Sequence, residues 1–251
     1  MHLQIYEDIY QAELTHWWFQ ARLQIVSTLI RRFGTSSAPL RIADIGCGMG
    51  ASLDQLAKLG TVIGADFSPT ALAFARSRTR EPLVAAALPS LPFADGFFDV
   101  VCALDVIEHI DDDFAAVREL CRICRPGGLL VLTVPAYQWL WSEHDDINEH
   151  KRRYTRSRLQ ECLTPLPVDG LRLSYMNTLL APPLMLLRLA KAAFRTRQNT
   201  NQPAKSDVSP VPEPLNTLLR MVFTTEAALL PHISLPFGTS VIAVSRKRTG
   251  L

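Results

Sequence analysis

Between residues 41 and 134, short apolar runs alternate with stretches of helical length, and that alternation narrows the possible architectures more than any other feature. The runs fall at 41–45, 62–65, 83–86, 100–104 and 129–134, and helices are expected at 52–58, 69–78 and 112–124. Short, almost wholly apolar strands separated by helices belong to a parallel sheet buried on both faces. Right-handed crossovers then give a doubly wound α/β sandwich.

The flanks read differently. Residues 5–33 form a helical stretch carrying Trp17, Trp18 and Phe19, ahead of a loop at 34–39. Strands are expected at 168–176 and 240–246, with more than sixty residues between them. That interval holds an apolar stretch at 179–194, interrupted by Pro182, Pro183, Arg188 and Lys191. A polar linker with four prolines follows at 196–214, then a second helical stretch at 215–230. The linker composition cannot support a core, so disorder is expected there. The organisation is therefore a helical cap at 1–38, a core at 39–176, a helical insertion at 177–238, and a last strand and tail at 239–251.

Composition excludes several classes. With 48% hydrophobic and 20% charged residues the chain is globular rather than disordered. A net charge of +2 gives no case for nucleic-acid binding. The five cysteines (Cys47, Cys102, Cys121, Cys124, Cys162) lack a disulfide framework, and the acidic start lacks a signal-peptide core. A reducing cytoplasm is the expected compartment. No run of about 18 apolar residues is free of charge and proline, so no spanning helix is expected. Cys121 and Cys124 are expected on one helix, serving packing rather than zinc or redox chemistry.

The chemistry starts at Arg41-Ile-Ala-Asp44-Ile-Gly46-Cys47-Gly48-Met-Gly50. A strand runs into a glycine-rich turn that opens a helix, which lets a ligand approach the backbone closely. The next strand ends in Gly64-Ala-Asp66, where an acid can take both hydroxyls of a ribose. Nicotinamide enzymes show G-x-G-x-x-G facing a pyrophosphate. The spacing here is G-x-G-x-G preceded by Asp44, which suits a ligand with an amino-acid end, a nucleoside end and no phosphates.

With these features, further segments recur in order: Asp66-Phe67-Ser-Pro, Leu91-Pro-Phe, Phe98-Asp-Val-Val, Asp105-Val-Ile-Glu108-His109 and Arg125-Pro-Gly-Gly. Over about residues 40–135 the chain resembles the class I S-adenosylmethionine-dependent methyltransferases (type 11/12). Its Glu108-His109 form is similar to the ubiquinone-biosynthesis O-methyltransferases. The resemblance implies a Rossmann-like, mixed seven-stranded sheet with S-adenosylmethionine as cofactor. By position, Gly46, Cys47, Gly48 and Gly50 would line the methionine part, with Asp44 near its amino group. Asp66 and Phe67 would meet the nucleoside, and Leu104 and Asp105 would flank the reacting methyl. Ala87 and Leu88 stand where the adenine is contacted. The family's common Asp at the Ala87 position is missing, which leaves adenine recognition to backbone groups.

The sulfonium methyl is already activated, so the protein must align donor and acceptor and, for a hydroxyl acceptor, supply a base. Candidate bases are Glu108 and His109 after the fourth strand, and His144 and His150 in the loop after the fifth. Glu108-His109 has a second reading, as a cap on the following helix. His150 and Tyr154, four apart, would share a helix face. His144, Asp145 and His150 have ligand chemistry, but carboxylate-rich loops ordinarily face solvent, and no metal is expected. Arg152 and Arg153 read either as an anion site or as a solvated face.

Two segments bear on the acceptor. Trp17, Trp18 and Phe19 either pack the first helix or form a lid, with Arg22 pairing the cofactor carboxylate. The stretches 179–195 and 215–230 are apolar with interspersed cations. They suit contact with the inner face of a membrane or cover for a long apolar acceptor, or else form a cap or dimer contact. The acceptor expected is a lipid-like, glycolipid or quinone-type oxygen. A soluble sugar or natural product, or a non-catalytic cofactor-binding module, are the alternatives.

Overall fold

Five parallel strands are laid down in two directions from one starting strand. These are β1 (Leu40–Ile45), β2 (Gly60–Asp66), β3 (Leu83–Ala85), β4 (Phe98–Leu104) and β5 (Cys124–Pro135). Two further strands, β6 (Val168–Met176) and β7 (Ser240–Lys247), complete a seven-stranded sheet in the order β3-β2-β1-β4-β5-β7-β6. Strand β7 lies antiparallel to both of its neighbours, so the sheet is mixed as expected. The chain is seen in a computed structural model that describes residues 3–34, 39–186 and 211–250.

The period-two alternation of the strands splits the apolar side chains between two cores. Ile42, Val62, Val100, Cys102, Val131 and Ile242 face one way, onto helix α2 (Trp17–Phe33). Ala43, Ile45, Val101, Ala103, Leu130, Leu132 and Ala243 face the other way. There they meet α5 (Asp113–Ile123) and α7 (Arg156–Leu163). Helices α3 (Leu53–Ala57) and α4 (Pro69–Arg78) link β1 to β2 and β2 to β3. The strand order reverses between β1 and β4, and a crevice opens there at the carboxyl ends of the strands.

The expected single helix over 5–33 is two: α1 (Leu3–Thr15) and α2 are broken at His16. His16 is extended and its ring accepts from the Trp18 amide, an N-cap in all but residue type. The break is fastened from the far end of the chain. Asn216, on helix α8 (Glu213–Thr224), accepts from the Trp17 amide at 2.8 Å. It donates to the Thr15 carbonyl at 2.9 Å. Phe223 of the same helix packs edge-on against Trp17. The cap and the insertion thus form one layer over the sheet. Helix α9 (Glu226–Leu229) follows, and its buried Glu226 accepts the amides of Asn177, Thr178 and Leu179 just past β6. The insertion therefore lies between β6 and β7 and is clamped at its root. Replacing Asn216 by alanine strands the buried Trp17 amide, at about 1–3 kcal/mol, and removes the donor from the exposed Thr15 carbonyl, where water can replace it. Hydrogen exchange is expected to quicken first at residues 14–18 in that variant.

Cys124 begins β5 rather than ending α5, so Cys121 and Cys124 do not share a helix. All five cysteines are free and buried. The expected polar linker at 196–214 and the apolar stretch beyond 186 lie outside the described residues, apart from 211–214. Among the described residues no helix is long and apolar enough to cross a membrane.

Candidate functional site

The glycine loop is built as its composition requires. Gly46 has φ +74°, and a Cβ there would stand 2.4 Å from a Val106 methyl carbon. Gly48 has φ +53°, and a Cβ would meet nothing within 4 Å, so the loop faces open space at that point. A ligand can lie against bare backbone there. The amides of Gly46 and Cys47 bond the Ala65 carbonyl, which anchors the loop to the end of β2.

Asp66, at the end of β2, accepts from the Gly48 amide at 2.9 Å and from the Ser68 amide at 2.8 Å. Burial raises its pKa, and those amides work against the rise. Phe67 beside it is 75% exposed, an aromatic face free for a base. Ala87 and Leu88 lie just after β3, where Ala87 pairs with Ser90. Asp44 lies beneath the loop, fully buried and hydrogen-bonded by Ser52. Burial pushes its pKa up to about 6.

Leu104 and Asp105 close β4. Asp105 has φ +59° and accepts from the Thr133 hydroxyl at 3.2 Å and from Arg22. Arg22 also reaches the Leu104 carbonyl, and its guanidinium lies 4.6 Å from the centre of the Trp18 ring. The cap thus delivers a cation to the crevice across more than eighty residues of sequence. Arg22 pairs Asp105 here, and its Nε is buried with no hydrogen-bond partner.

The two groups of base candidates converge. Glu108 and His109 sit on a short 3-10 turn, Ile107–His109, which settles on local geometry their reading as a cap: Asp112 caps α5 instead. The His109 and His150 rings meet edge to face with centroids 4.6 Å apart, and His144 lies 6.1 Å from His150. His144 is on α6 (Glu143–Ile147), where its carbonyl accepts from Asn148. Burial first, then the neighbouring His150, pulls the His109 pKa down to about 4. Glu108 is fully buried, and burial together with Asp105 pushes its pKa well up.

Three expectations need correction. His150 and Tyr154 do not share a helix face: residues 148–155 are not helical, and Tyr154 bridges to Ala136 beside β5. Asp145 does not face solvent; it is fully buried, held by Arg153 at 2.7 and 2.8 Å and by the His150 ring at 2.8 Å. Arg152 and Arg153 are neither an anion site nor a solvated face. Arg152 donates to the Ile110 and Asp111 carbonyls, and Arg153 is spent on Asp145. The Asp145–Arg153 pair escaped the sequence reading because nothing local distinguishes it from surface charge. Aspartate three residues past Ser142 as a capping box was the one available signal.

Comparisons with known proteins bear on this geometry. Residues 43–132 match the family model described as a methyltransferase domain. That stretch is therefore similar to methyltransferase domains. A probable S-adenosylmethionine-dependent methyltransferase of Mycobacterium tuberculosis is 35% identical over 125 residues, 49% of this chain and 44% of that protein. A ubiquinone biosynthesis O-methyltransferase of a Methylobacterium species is 39% identical over 98 residues, 37% of this chain and 39% of that protein. The chain spans less than half the length of these curated relatives. A solved structure from Bacillus halodurans, named a putative methyltransferase, shares the fold with TM-score 0.58 at 17% identity, covering 92% of this chain and 99% of that one. The 4+2 cyclase SpnF also shares it, with TM-score 0.58 at 19% identity, over 92% of this chain and 81% of that one. The chain's mixed seven-stranded sheet therefore has the fold of these solved structures. The cofactor expected from the sequence is the one in the name of the Mycobacterium tuberculosis relative.

Proposed function

We propose that the chain is an S-adenosylmethionine-dependent methyltransferase acting on an oxygen of a lipid-like, quinone-type acceptor. The observation that carries the cofactor is the pairing of an open glycine loop with a carboxylate at the end of the next strand. Asp66 would take the ribose hydroxyls, Phe67 would stack on the adenine, and Ala87 and Leu88 would border it. Gly46, Cys47, Gly48 and Gly50 would lie along the methionine part, with Asp44 beneath its ammonium and Arg22 turning from Asp105 to its carboxylate. The cofactor supplies an activated methyl, and the protein supplies alignment and proton transfer. His109, held neutral near pH 7, would stand on the acceptor side of the site, where a ring titrating near 4 is too weak a base to take a hydroxyl proton unaided. Glu108, His150 and His144 surround it.

Two things support the acceptor class. Relatives include proteins named for ubiquinone and menaquinone methylation. The insertion exposes Leu215, Leu218 and Met221 along one side of α8, with Leu229, Ile233 and Phe237 nearby. These residues, with the exposed Leu179 and Leu186, would rest on a membrane surface or cover an apolar chain. A soluble acceptor is the second reading. It is favoured by the burial of Asn216 and Phe223 against the cap, which suits a lid. Methyl-labelled S-adenosylmethionine, incubated with the protein and host extract, separates them. Protein-dependent label in the organic phase supports the lipid acceptor; label confined to the aqueous phase overturns it in favour of the lid.

Asp44 gives the site a pH signature. Only its ionised form attracts an ammonium group, and its pKa in the free protein is about 6. Below pH 6 the protonated fraction grows, so cofactor affinity falls about tenfold between pH 7 and pH 5. Calorimetric titration at the two pH values reads this directly. The Asp44→Asn variant is expected to bind more weakly at pH 7 and to lose the pH dependence.

A further inference from the structure

Among the described residues, Glu108 is a buried acid with no partner for its carboxylate. Its side chain is wholly buried, and neither carboxylate oxygen is hydrogen-bonded by another residue; only its own backbone amide is near. A buried carboxylate without a partner costs several kcal/mol, and ordinarily it is paired or coordinates a metal. The charges around it are already matched among themselves. Asp105 is paired with Arg22, and Asp145 with Arg153. No cation among these is left for Glu108.

Two imidazoles face it. Glu108, His109 and His150 each place a ligand atom within 4.8 Å of the others. The His150 ring is oriented from behind. Its Nδ1 bonds Asp145, which Arg153 holds in turn, and its Nε2 is left over. The His109 ring packs edge to face against it, with centroids 4.6 Å apart. The chain of carboxylate, imidazole and vacant nitrogen at His150 is the outer shell that metal-ligating histidines show. The loop carrying His150 is pinned to the Glu108 turn, because the Lys151 amide donates to the Glu108 carbonyl at 2.7 Å.

We propose that Glu108, His109 and His150 bind one divalent transition-metal ion, with zinc the best match to two imidazoles and a carboxylate. Three protein ligands leave a position open. Resting on the methyltransferase reading, that position takes the acceptor oxygen. The hydroxyl proton passes to water, the oxygen bonds the methyl carbon, and the carbon–sulfur bond breaks with its electron pair on sulfur. The histidine cluster would then lower the acceptor's pKa through the ion rather than by direct proton abstraction.

The test uses the full chain stripped by chelator and titrated with Zn²⁺ and Mg²⁺ by calorimetry, beside Glu108→Gln and His150→Ala. One zinc per chain is expected. Losing a ligand should weaken binding by at least roughly 100-fold, since disturbing outer-shell partners alone costs 10–100-fold. Zinc should raise the Tm of the wild type and leave that of Glu108→Gln unchanged. The metal-free Glu108→Gln protein should melt no lower than the wild type, because it loses an unpaired buried acid. Visible bands of bound Co²⁺ should appear in the wild type and vanish in both variants. No stoichiometric zinc, binding unaltered in the variants, or Mg²⁺ bound in preference to zinc would each overturn the proposal. S-adenosylmethionine binding by the same stripped protein is measured in parallel. It fails if the methyltransferase reading is wrong and persists if only the metal is.

Discussion

Replacing Asp66 by alanine is expected to weaken S-adenosylmethionine binding by at least a hundredfold while leaving the sheet intact. A carboxylate bonded to two ribose hydroxyls contributes roughly 1.5–3 kcal/mol per hydrogen bond, and each 1.4 kcal/mol is a factor of ten. The change also frees the Gly48 and Ser68 amides that Asp66 now holds. The part-buried Gly48 amide can find water instead, while the buried Ser68 amide loses its acceptor, so the stability loss is about 1–3 kcal/mol. Calorimetry on Asp66→Ala, with a melting curve as control, checks both halves. Undiminished binding would remove Asp66 from the nucleoside site.

Arg153→Ala is expected to be the most destabilising change in the post-β5 loop. It leaves Asp145 fully buried with no guanidinium, and breaking such a pair from one side costs about 3–5 kcal/mol. For a chain of this size that lowers Tm by about 10 °C. The pH dependence has a definite sign. The His150 ring and Arg153 hold the Asp145 carboxyl below its ordinary 3.8. Its contribution is therefore complete above pH 3.8 and is lost as pH falls below it. The difference in Tm between wild type and variant should accordingly persist at pH 5 and shrink in stronger acid. Zinc affinity should fall as well, because Asp145, which orients His150, loses the group that holds it.

The parts legible in sequence were those whose signal is local. Apolar runs without alternation gave β1, β2, β4 and β5, and the turn after β1 needed glycine because Val106 crowds Gly46 and the backbone there has positive φ. The acid at the end of β2 stands in the expected place. What was missed is held by contacts distant in sequence. Asn216 reaches the α1–α2 break across roughly two hundred residues, and no periodicity in either segment announces it. Charge patterning puts Asp145 in solvent and leaves Arg153 between an anion site and a solvated face, because each alone looks like surface; only folding the 143–153 loop back onto β5 makes them a buried pair. Glu226 resembles an ordinary helix-start acid, yet it caps three amides past β6. Convergence of His109 with His150 was likewise set by loop closure, through Lys151 and Glu108, rather than by spacing.

The most direct test is a crystal structure with S-adenosylhomocysteine bound. The account predicts the ribose hydroxyls within hydrogen-bond distance of Asp66, the homocysteine chain along Gly46–Gly50, and the sulfur turned towards Glu108 and His109. Product bound outside this crevice, or with its ribose on other residues and its sulfur turned away from that cluster, would contradict it.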